Sequence, residues 1–501
     1  MNVMNEITKF SVSSPNKIAL KNQYSKITYA ELEQKINQTA NAFVSFGVEK
    51  GERILIQIGN RFEFIYCYYA AMKIGAIIVP INPLYTPSEM SFIVEDCQPV
   101  VYVCEQSAEN NIETVKKYSK VVKKIVVLDD ESEELNFDRQ LSGQSGEYQA
   151  QIEDDDAVCQ ILYTSGTTGH PKGAMLTHDG LAGNAKAYSK RLKCNPDDIG
   201  LIVAPLYHAA AQTNCLNTMI LSNAACYILE KFNPQVVLDT MEKEQITYFF
   251  GPPTMYSMLL NDPNIENYQL KLRIAFTGAA SMPVSVHKRW KELFGFDILE
   301  GYGLSECSPV VSNHGPDGPI KHGSIGPAIE GVTVKIFDEN DQEVPVGEVG
   351  EVVVQGPNVM KGYWNQPEAT KEAMRGGWFH TGDVGYQDED GYFYIVDRKK
   401  DMIIQGGLKI YPREVEEVLY QYGSFLEVGV VGEPDEVKGE QVVAYVTLKG
   451  SIDKASVDFD EVTKFCRTNL APYKIPKKFY VLDEMPKTLS GKILKTELVK
   501  A

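Results

Sequence analysis

The sequence lacks the features that would place the chain in a membrane or on a nucleic acid. Lysine and arginine total 49 against 67 aspartates and glutamates, a formal net charge of −18, which argues against a nucleic-acid backbone or an anionic bilayer as the main partner. The N-terminal "MNVMNEITKF" lacks the apolar core of a signal peptide. The longest stretch without charge, 200–229, is too rich in asparagine for a lipid-facing span. We therefore expect a cytoplasmic protein with no integral membrane segment, and interpret 200–229 as a buried helix beside a binding site.

The cysteines are also without a metal-binding or disulfide pattern. Their number is odd, and none form a CxxC pair. This spacing predicts free, buried thiols in a reducing compartment and disfavours a zinc site. The cysteines are Cys67, Cys97, Cys104, Cys159, Cys194, Cys215, Cys226, Cys307 and Cys466.

What is present is an alternation of strand and helix patterns. "RILIQI" (53–58), the helix-length "FEFIYCYYAAMKIG" (62–75) and "AIIVPIN" (76–82) predict a βαβ unit. The alternation recurs over 100–129 and, after a polar connection that we place on the surface (129–156), again from about 156 to 327. Such repetition predicts α/β folding with a mostly parallel sheet.

The pattern of predicted strands and helices changes towards the C-terminus. A chain of 501 residues is also too long for one hydrophobic core. Short alternating strands with turn residues follow Gly331, whereas 402–501 has the pattern of a compact α+β module. We predict a large N-terminal domain (1–397) of mixed and parallel sheets flanked by helices, with a small β-barrel-like subdomain at about 331–397. A hinge at 398–401 then leads to a small, mobile α+β C-terminal domain (402–501).

One loop has the composition of a phosphate site. "YTSGTTGHPKG" (163–173) lies between apolar runs, which predicts a strand–loop–strand arrangement. Glycines let backbone N–H groups approach a phosphate, hydroxyls donate hydrogen bonds, and Lys172 supplies charge. The spacing is neither that of a Walker A motif nor that of the dinucleotide fingerprint. A flexible surface turn is the alternative, and the loop alone does not decide between them.

Three further segments resemble motifs of one family. "GYGLSE" (301–306), "GWFHTGD" (377–383) followed by "YIVDRKKDMI" (394–403), and "PKTLSGKILK" (486–495) follow the loop in order across nearly the whole chain. Together they resemble the adenylate-forming (acyl-activating) enzyme superfamily. The residues of these motifs are most similar to those of the bacterial AMP-forming fatty-acid–CoA ligases.

The resemblance implies a role for individual residues at the nucleotide. Tyr302 would form the wall for adenine, Asp383 would bind the ribose hydroxyls, and Arg398 would lie near the ribose and phosphate. Glu306, together with Thr164, would hold Mg²⁺. The other residues implied for ATP are Ser165, Gly166, Thr167, Thr168, Gly169 and Lys172 of the loop, and Gly278, Ala279, Ala280, Glu300, Gly301, Gly303 and Ser305 near the strand ends.

Other roles concern the acyl group and domain rotation. The resemblance implies that Lys492 assists adenylation, that His208 lies beside the acyl carboxylate, and that Lys400 is the hinge residue. Gly406 and Gly407 would lie in the segment that swings in for thioester formation. Each residue has an ordinary alternative, such as a core histidine, a turn aspartate or a solvated lysine. His170, inside the loop, is assigned no role.

The reaction that follows is ATP-dependent formation of an acyl-adenylate with release of pyrophosphate, and transfer of the acyl group to coenzyme A. ATP, Mg²⁺ and coenzyme A are therefore expected, with a medium- or long-chain fatty acid as substrate and a homodimer as one assembly to consider. Open alternatives are an aryl acid, a carrier-protein phosphopantetheine as acceptor, and a nucleotide-binding protein without catalysis.

Overall fold

The computed structural model describes residues 2–132, 135–150, 154–164, 171–280, 282–435, 438–450, 452–487 and 493–498. The strands of these residues are β1 (Ile18–Lys21), β2 (Lys26–Thr28), β3 (Arg53–Gln57), β4 (Ile77–Pro80), β5 (Val101–Glu105), β6 (Lys124–Leu128), β7 (Val158–Thr164), β8 (Lys172–Thr177), β9 (Ile199–Ile202), β10 (Ala225–Ile228), β11 (Tyr248–Phe250), β12 (Ile274–Thr277), β13 (Ile298–Gly303), β14 (Val310–Asn313), β15 (Thr333–Phe337), β16 (Gly350–Gln355), β17 (Phe379–Gln387), β18 (Phe393–Arg398), β19 (Ile403–Gln405), β20 (Leu408–Ile410), β21 (Phe425–Asp435), β22 (Gly439–Leu448) and β23 (Lys478–Val481).

The α-helices of the same residues lie between these strands and cover the sheets. They are α1 (Val3–Ser13), α2 (Tyr29–Ser45), α3 (Phe62–Lys73), α4 (Pro87–Cys97), α5 (Ile112–Tyr118), α6 (Phe137–Leu141), α7 (His178–Leu192), α8 (Thr218–Leu221), α9 (Pro234–Lys243), α10 (Pro253–Leu260), α11 (Val284–Phe294), α12 (Pro367–Ala373), α13 (Pro412–Tyr422), α14 (Phe459–Asn469) and α15 (Lys495–Leu498).

Two large sheets form the N-terminal domain. Within the described residues, one has the order β6-β5-β3-β4-β7-β8 and the other β14-β13-β12-β11-β9-β10-β1-β2. The inner pairs of both are parallel, whereas β7·β8, β13·β14 and β1·β2 at the edges are antiparallel. The inner strands are short runs of β-branched and aromatic residues that are buried on both faces, as parallel sheets require. The predicted α/β class is confirmed.

Two smaller sheets follow in the chain. Strands β15-β16-β17-β18 form an antiparallel sheet, and β20-β19-β22-β21, with β23 parallel to β22, form the sheet of the C-terminal domain. Helices α13 and α14 cover the latter sheet and share its apolar core. Among the described residues, no helix combines the length and the apolar character needed to cross a bilayer.

Local sequence explains where several helices begin. At α2 and α4, a threonine accepts the N–H of a glutamate three residues later, whose side chain in turn accepts the threonine N–H. These capping boxes are Thr28 with Glu31 and Thr86 with Glu89, and each satisfies donors that the helix itself leaves unpaired. Helix α14 begins in a simpler way, with Asp458 accepting from two backbone N–H groups.

Two expectations need correction. The uncharged stretch 200–229 is not one helix: it ends β9, forms a π-helix (Ala211–Asn217) and α8, and then forms β10. Short apolar runs fit a buried strand as well as a buried helix, so periodicity alone could not separate them. The connection 129–156 does not lie wholly on the surface, because Phe137 and Leu141 of α6 are buried.

Candidate active site

The predicted phosphate loop joins the antiparallel strands β7 and β8. Thr164 is the last residue of β7, Lys172 is the first of β8, and the two are paired in register. The strand–loop–strand prediction therefore agrees with the structure at both ends of the loop. Ser165, Gly166, Thr167, Thr168, Gly169 and His170 lie outside the described residues.

The end of β7 meets a residue from the other large sheet. Glu306 follows β13, and its Oε1 lies 3.5 Å from the hydroxyl of Thr164 and 3.1 Å from the hydroxyl of Tyr363. The Nζ atom of Lys172 lies 5.0 Å from the centre of the Tyr363 ring. Burial and the charge of Glu306 raise the pKa of Tyr363. A hydroxyl, a carboxylate and an ammonium thus meet at one place.

This group suits a magnesium ion bound to phosphates. Mg²⁺ takes oxygen ligands, commonly one or two from the protein beside those of the phosphates. Thr164 and Glu306 offer a hydroxyl and a carboxylate oxygen within 3.5 Å of each other. In the described part of the chain, no cluster of three or more His, Cys, Asp or Glu side chains is arranged to hold a metal ion.

Three glycines at the ends of β12 and β13 have no space for a side chain. A Cβ atom on Gly278 would lie 3.1 Å from the carbonyl oxygen of Gly301, and one on Gly301 would lie 2.5 Å from Cζ of Phe276. At Gly303 the corresponding distance to the carbonyl oxygen of Pro309 would be 2.0 Å. These positions need glycine because neighbouring backbone and a ring fill the space of a side chain.

Tyr302, Asp383 and Arg398 converge from three strands. The Tyr302 hydroxyl donates to Oδ2 of Asp383 at 2.5 Å, and Nε of Arg398 lies 3.3 Å from Oδ1. Asp383 of β17 and Arg398 of β18 are direct neighbours in the antiparallel register. Burial and the charge of Asp383 raise the pKa of Tyr302. Asp383 is buried, whereas the side chain of Arg398 is 49% exposed.

Glu300 is on β13 but faces a different environment. Its Oε2 accepts a hydrogen bond from the backbone N–H of Met282 at 3.0 Å, and its Oε1 lies 3.7 Å from Nε2 of His287. Its backbone carbonyl accepts the N–H of His314 at 3.0 Å. The described side-chain contacts are therefore with α11 and the segment before it, and not with Tyr302 or Asp383.

The remaining predicted residues follow strands β9, β12 and β13 of the second large sheet. His208 is half-buried after β9, with its ring centre 4.6 Å from that of Tyr207. Ser305 begins the 3-10 turn that holds Glu306. Gly278 is buried, whereas Ala279 and Ala280 are exposed and Ala279 has a φ of 71°.

The predicted hinge is a tight turn. The N–H of Asp401 donates to the carbonyl of Arg398 at 3.0 Å, and Lys400 between them is exposed. Gly406 and Gly407, with φ of 59° and 82°, form the exposed tip between β19 and β20. Lys492 lies outside the described residues.

Two family models match the chain, "AMP-binding enzyme" over residues 8–364 and "AMP-binding enzyme C-terminal domain" over residues 414–492. The chain belongs to the AMP-binding enzyme family. The predicted superfamily is confirmed by these matches.

Relatives of this AMP-binding enzyme extend over nearly its whole length. A long-chain-fatty-acid–CoA ligase of Bacillus subtilis is 34% identical, covering 99% of this chain and 93% of its own. A feruloyl-CoA synthase of an Amycolatopsis species is 36% identical, covering 97% and 96%. The ATP-bound structure of MatB from Rhodopseudomonas palustris has a TM-score of 0.93 at 33% identity, covering 100% and 99%. The prediction of an AMP-forming acyl-CoA synthetase is confirmed.

Sequence reasoning missed two participants in this region. Tyr363 stands in "KGYWNQP", where no periodicity or charge pattern points to Glu306 or Lys172. Asp397 stands beside Arg398 in a quoted motif, but its own contact, with the N–H of Arg413 at 2.9 Å, was not anticipated. An acidic residue at the start of a charged run was the signal that the sequence offered for Asp397.

Proposed function

We propose that this AMP-forming acyl-CoA synthetase converts a medium- or long-chain fatty acid into its coenzyme A thioester in two steps. The observation that best supports this proposal is the convergence of Tyr302 and Arg398 on the buried carboxylate of Asp383. A buried carboxylate can accept from vicinal ribose hydroxyls, and a half-buried ring offers a flat face to a base.

Each part of the nucleotide is assigned to a different group of residues. Adenine packs against Tyr302 and the glycine-lined ends of β12 and β13, and Asp383 with Arg398 binds the ribose. The loop from Thr164 to Lys172 binds the β- and γ-phosphates through backbone N–H groups, hydroxyls and one ammonium. Thr164 and Glu306 hold Mg²⁺, which supplies positive charge to the phosphates.

In the first step, a carboxylate oxygen of the acid attacks the α-phosphorus of ATP. A new P–O bond forms, the bond to the β-phosphate oxygen breaks, and pyrophosphate leaves. Because an anion attacks an anion, positive groups placed at the developing charge lower the barrier, by roughly 3–4 kcal/mol per donor in known cases. We assign this role to Lys492, with Lys172 binding the departing phosphates and His208 beside the acyl carboxylate.

In the second step, the thiol sulfur of coenzyme A attacks the acyl carbon. The C–S bond forms, the bond to AMP breaks, and the thiol proton is released. We propose that the domains 1–397 and 402–501 rotate about 398–401, with Lys400 as the pivot, and bring Gly406 and Gly407 to the site. Their positive φ and exposed position allow backbone to pass close to a narrow thiol-bearing arm.

The choice of acid rests on two observations. Small or apolar side chains favour an apolar tail, namely those of Ala209, Ala210, Ala279, Val310 and Val311. One relative at 34% identity is a long-chain-fatty-acid–CoA ligase. An aryl acid is the second candidate, because a feruloyl-CoA synthase is similar to the same extent.

Pyrophosphate release, measured over saturated acids of increasing length and over benzoate and ferulate, tests the proposal. Coenzyme A and a holo carrier protein are supplied in parallel as acceptors. We expect the highest kcat/KM for a medium- or long-chain acid with coenzyme A. A maximum at ferulate or benzoate would support the aryl candidate, and preference for the carrier protein would change the acceptor. Absence of acid-dependent pyrophosphate release would contradict the function itself.

The variant Lys492→Ala separates the two steps. It should abolish pyrophosphate release from free acid while largely sparing thioester formation from supplied acyl-adenylate. Equal loss of both would refute the role assigned to Lys492.

A further inference from the structure

The side chain of Tyr363 contacts two charged residues of the candidate site, Glu306 and Lys172. Its hydroxyl is 3.1 Å from Oε1 of Glu306, and its ring centre is 5.0 Å from Nζ of Lys172. The Thr164 hydroxyl reaches the same oxygen of Glu306 at 3.5 Å. One half-buried side chain therefore contacts both the carboxylate and the ammonium of this site.

The backbone fixes Tyr363 in this place. The segment around it runs beside β8: Ala174 and Tyr363 form an antiparallel bridge, and the N–H of Trp364 donates to the carbonyl of Gly173 at 2.7 Å. The N–H of Tyr363 donates to the hydroxyl of Thr370 at 2.8 Å. Lys172 is the first residue of β8. The strand that carries the ammonium is therefore the strand that pairs with the backbone of Tyr363.

A second backbone contact ties this segment to Glu306. The N–H of Met360 donates to the carbonyl of Glu306 at 2.7 Å. The carboxylate of Glu306 and the hydroxyl of Tyr363 are therefore held by a short path of hydrogen bonds as well as by their own contact. These contacts restrict the orientation of the Glu306 carboxylate.

We propose that Tyr363 is a positioning residue for metal–nucleotide binding: its hydroxyl orients the carboxylate of Glu306 towards Mg²⁺, and its ring keeps Lys172 facing the phosphates. The proposal rests on the proposed function for the assignment of the nucleotide to this site. A ligand whose carboxylate is held by an outer hydrogen bond binds its metal more tightly than one that must be ordered on binding. A cation over an aromatic face is similarly restrained.

Binding of Mn²⁺·ATP, followed by the electron paramagnetic resonance of Mn²⁺, tests this directly, because Mn²⁺ suits the same oxygen ligands as Mg²⁺. Tyr363→Phe removes only the hydroxyl and should weaken binding about tenfold, the effect of one hydrogen bond to a charged group. Tyr363→Leu also removes the ring and should weaken it further. Affinity for AMP without metal should stay unchanged in Tyr363→Phe, which a general disruption of the fold would not allow.

Tyr394→Phe is the matched control. Its hydroxyl lies 3.2 Å from Oδ2 of Asp388, so the same substitution breaks the same kind of bond away from the site. This variant should bind Mn²⁺·ATP as the unaltered protein does. In the Glu306→Gln background, Tyr363→Phe should have almost no additional effect, because the hydroxyl acts through that carboxylate.

Two outcomes would overturn the proposal: Mn²⁺·ATP affinity of Tyr363→Phe within twofold of the unaltered protein, or an equal loss with and without Glu306→Gln. Neither measurement requires an acid substrate. Failure of every acid to release pyrophosphate would therefore contradict the proposed function while the binding data still decide the role of Tyr363.

Discussion

Asp397, at the end of β18, caps a helix of the C-terminal domain: its Oδ2 accepts the backbone N–H of Arg413, the second residue of α13, at 2.9 Å. Tyr411, which precedes α13, provides no side-chain cap of its own. The guanidinium of Arg413 donates in return to the carbonyl of Ile395. The orientation of α13 on the N-terminal domain thus depends on a carboxylate immediately before the proposed hinge.

Replacing this carboxylate should alter the balance of the two half-reactions. Asp397→Ala removes a helix cap, which costs about 1 kcal/mol of stability. It also weakens the contact that orients α13 on the N-terminal domain, and with it the domain arrangement in which Gly406 and Gly407 are exposed. We expect pyrophosphate release to fall more than thioester formation from supplied acyl-adenylate, with the two rates measured separately.

The matched control is Asp458→Ala, which removes the cap of α14 within the C-terminal domain. It should lower stability by a similar amount and leave the ratio of the half-reactions unchanged. An unchanged ratio in Asp397→Ala as well would show that the cap is only a stabilising contact.

Asp383 should matter more for nucleotide affinity than the hydroxyl of Tyr302 does. Asp383→Ala leaves a phenol and a guanidinium without the acceptor they share and removes the group proposed for the ribose, so the Kd for ATP should rise more than tenfold. Tyr302→Phe keeps the ring and should change it only a few-fold. Calorimetric titration with ATP measures both, and equal effects would argue against a ribose role for Asp383.

Gly407 should be needed for the second step alone. Its φ is 82°, and Gly407→Ala costs about 1–2 kcal/mol of backbone strain in that conformation. We expect slower thioester formation from supplied acyl-adenylate and unchanged pyrophosphate release. Gly423→Ala, at a φ of 92° after α13, imposes similar strain in the same domain. If both variants slow thioester formation equally, strain explains the result and proximity to the thiol does not.

His178 should make stability depend on pH between about 6.5 and 4. Burial lowers its pKa from 6.5 to about 4, although Asp155 acts to raise it. The folded protein therefore keeps the ring neutral while the unfolded chain takes up a proton, so this stability is present above pH 6.5 and is lost as the pH falls. The loss at pH 5 is about 2 kcal/mol.

Urea denaturation at pH 7.5 and pH 5 measures this effect. His178→Gln should reduce the difference in unfolding free energy between the two pH values by about 2 kcal/mol. The same pH dependence in both proteins would mean that the ring is protonated in the folded state.

The parallel sheets could be predicted from the sequence because their strands are short, apolar and separated by helix-length segments. β3, α3 and β4 follow the expected pattern closely. The pairing of Asp383 with Arg398 was also accessible, since both stand in motifs on adjacent strands of one hairpin. Local patterns carry such information when the partners are close along the chain or share a sheet edge.

Contacts between segments that are distant in the chain could not be predicted from the sequence. The placement of Tyr363 beside β8 follows from backbone pairing between regions far apart in the chain, and no local pattern encodes it. The cap at α13 was missed for a different reason: a helix start normally has its own polar residue, and here the acceptor comes from the preceding domain.

All nine cysteines are described, all are free, and eight of them are buried. The exception, Cys194, is half-buried, and burial raises its pKa to about 12; that of Cys466 is raised to about 11 for the same reason. An acyl-adenylate is an acylating agent that reacts with any accessible thiolate. Because the chain presents no such thiolate, its intermediate should be discharged onto the incoming thiol without self-acylation of the enzyme.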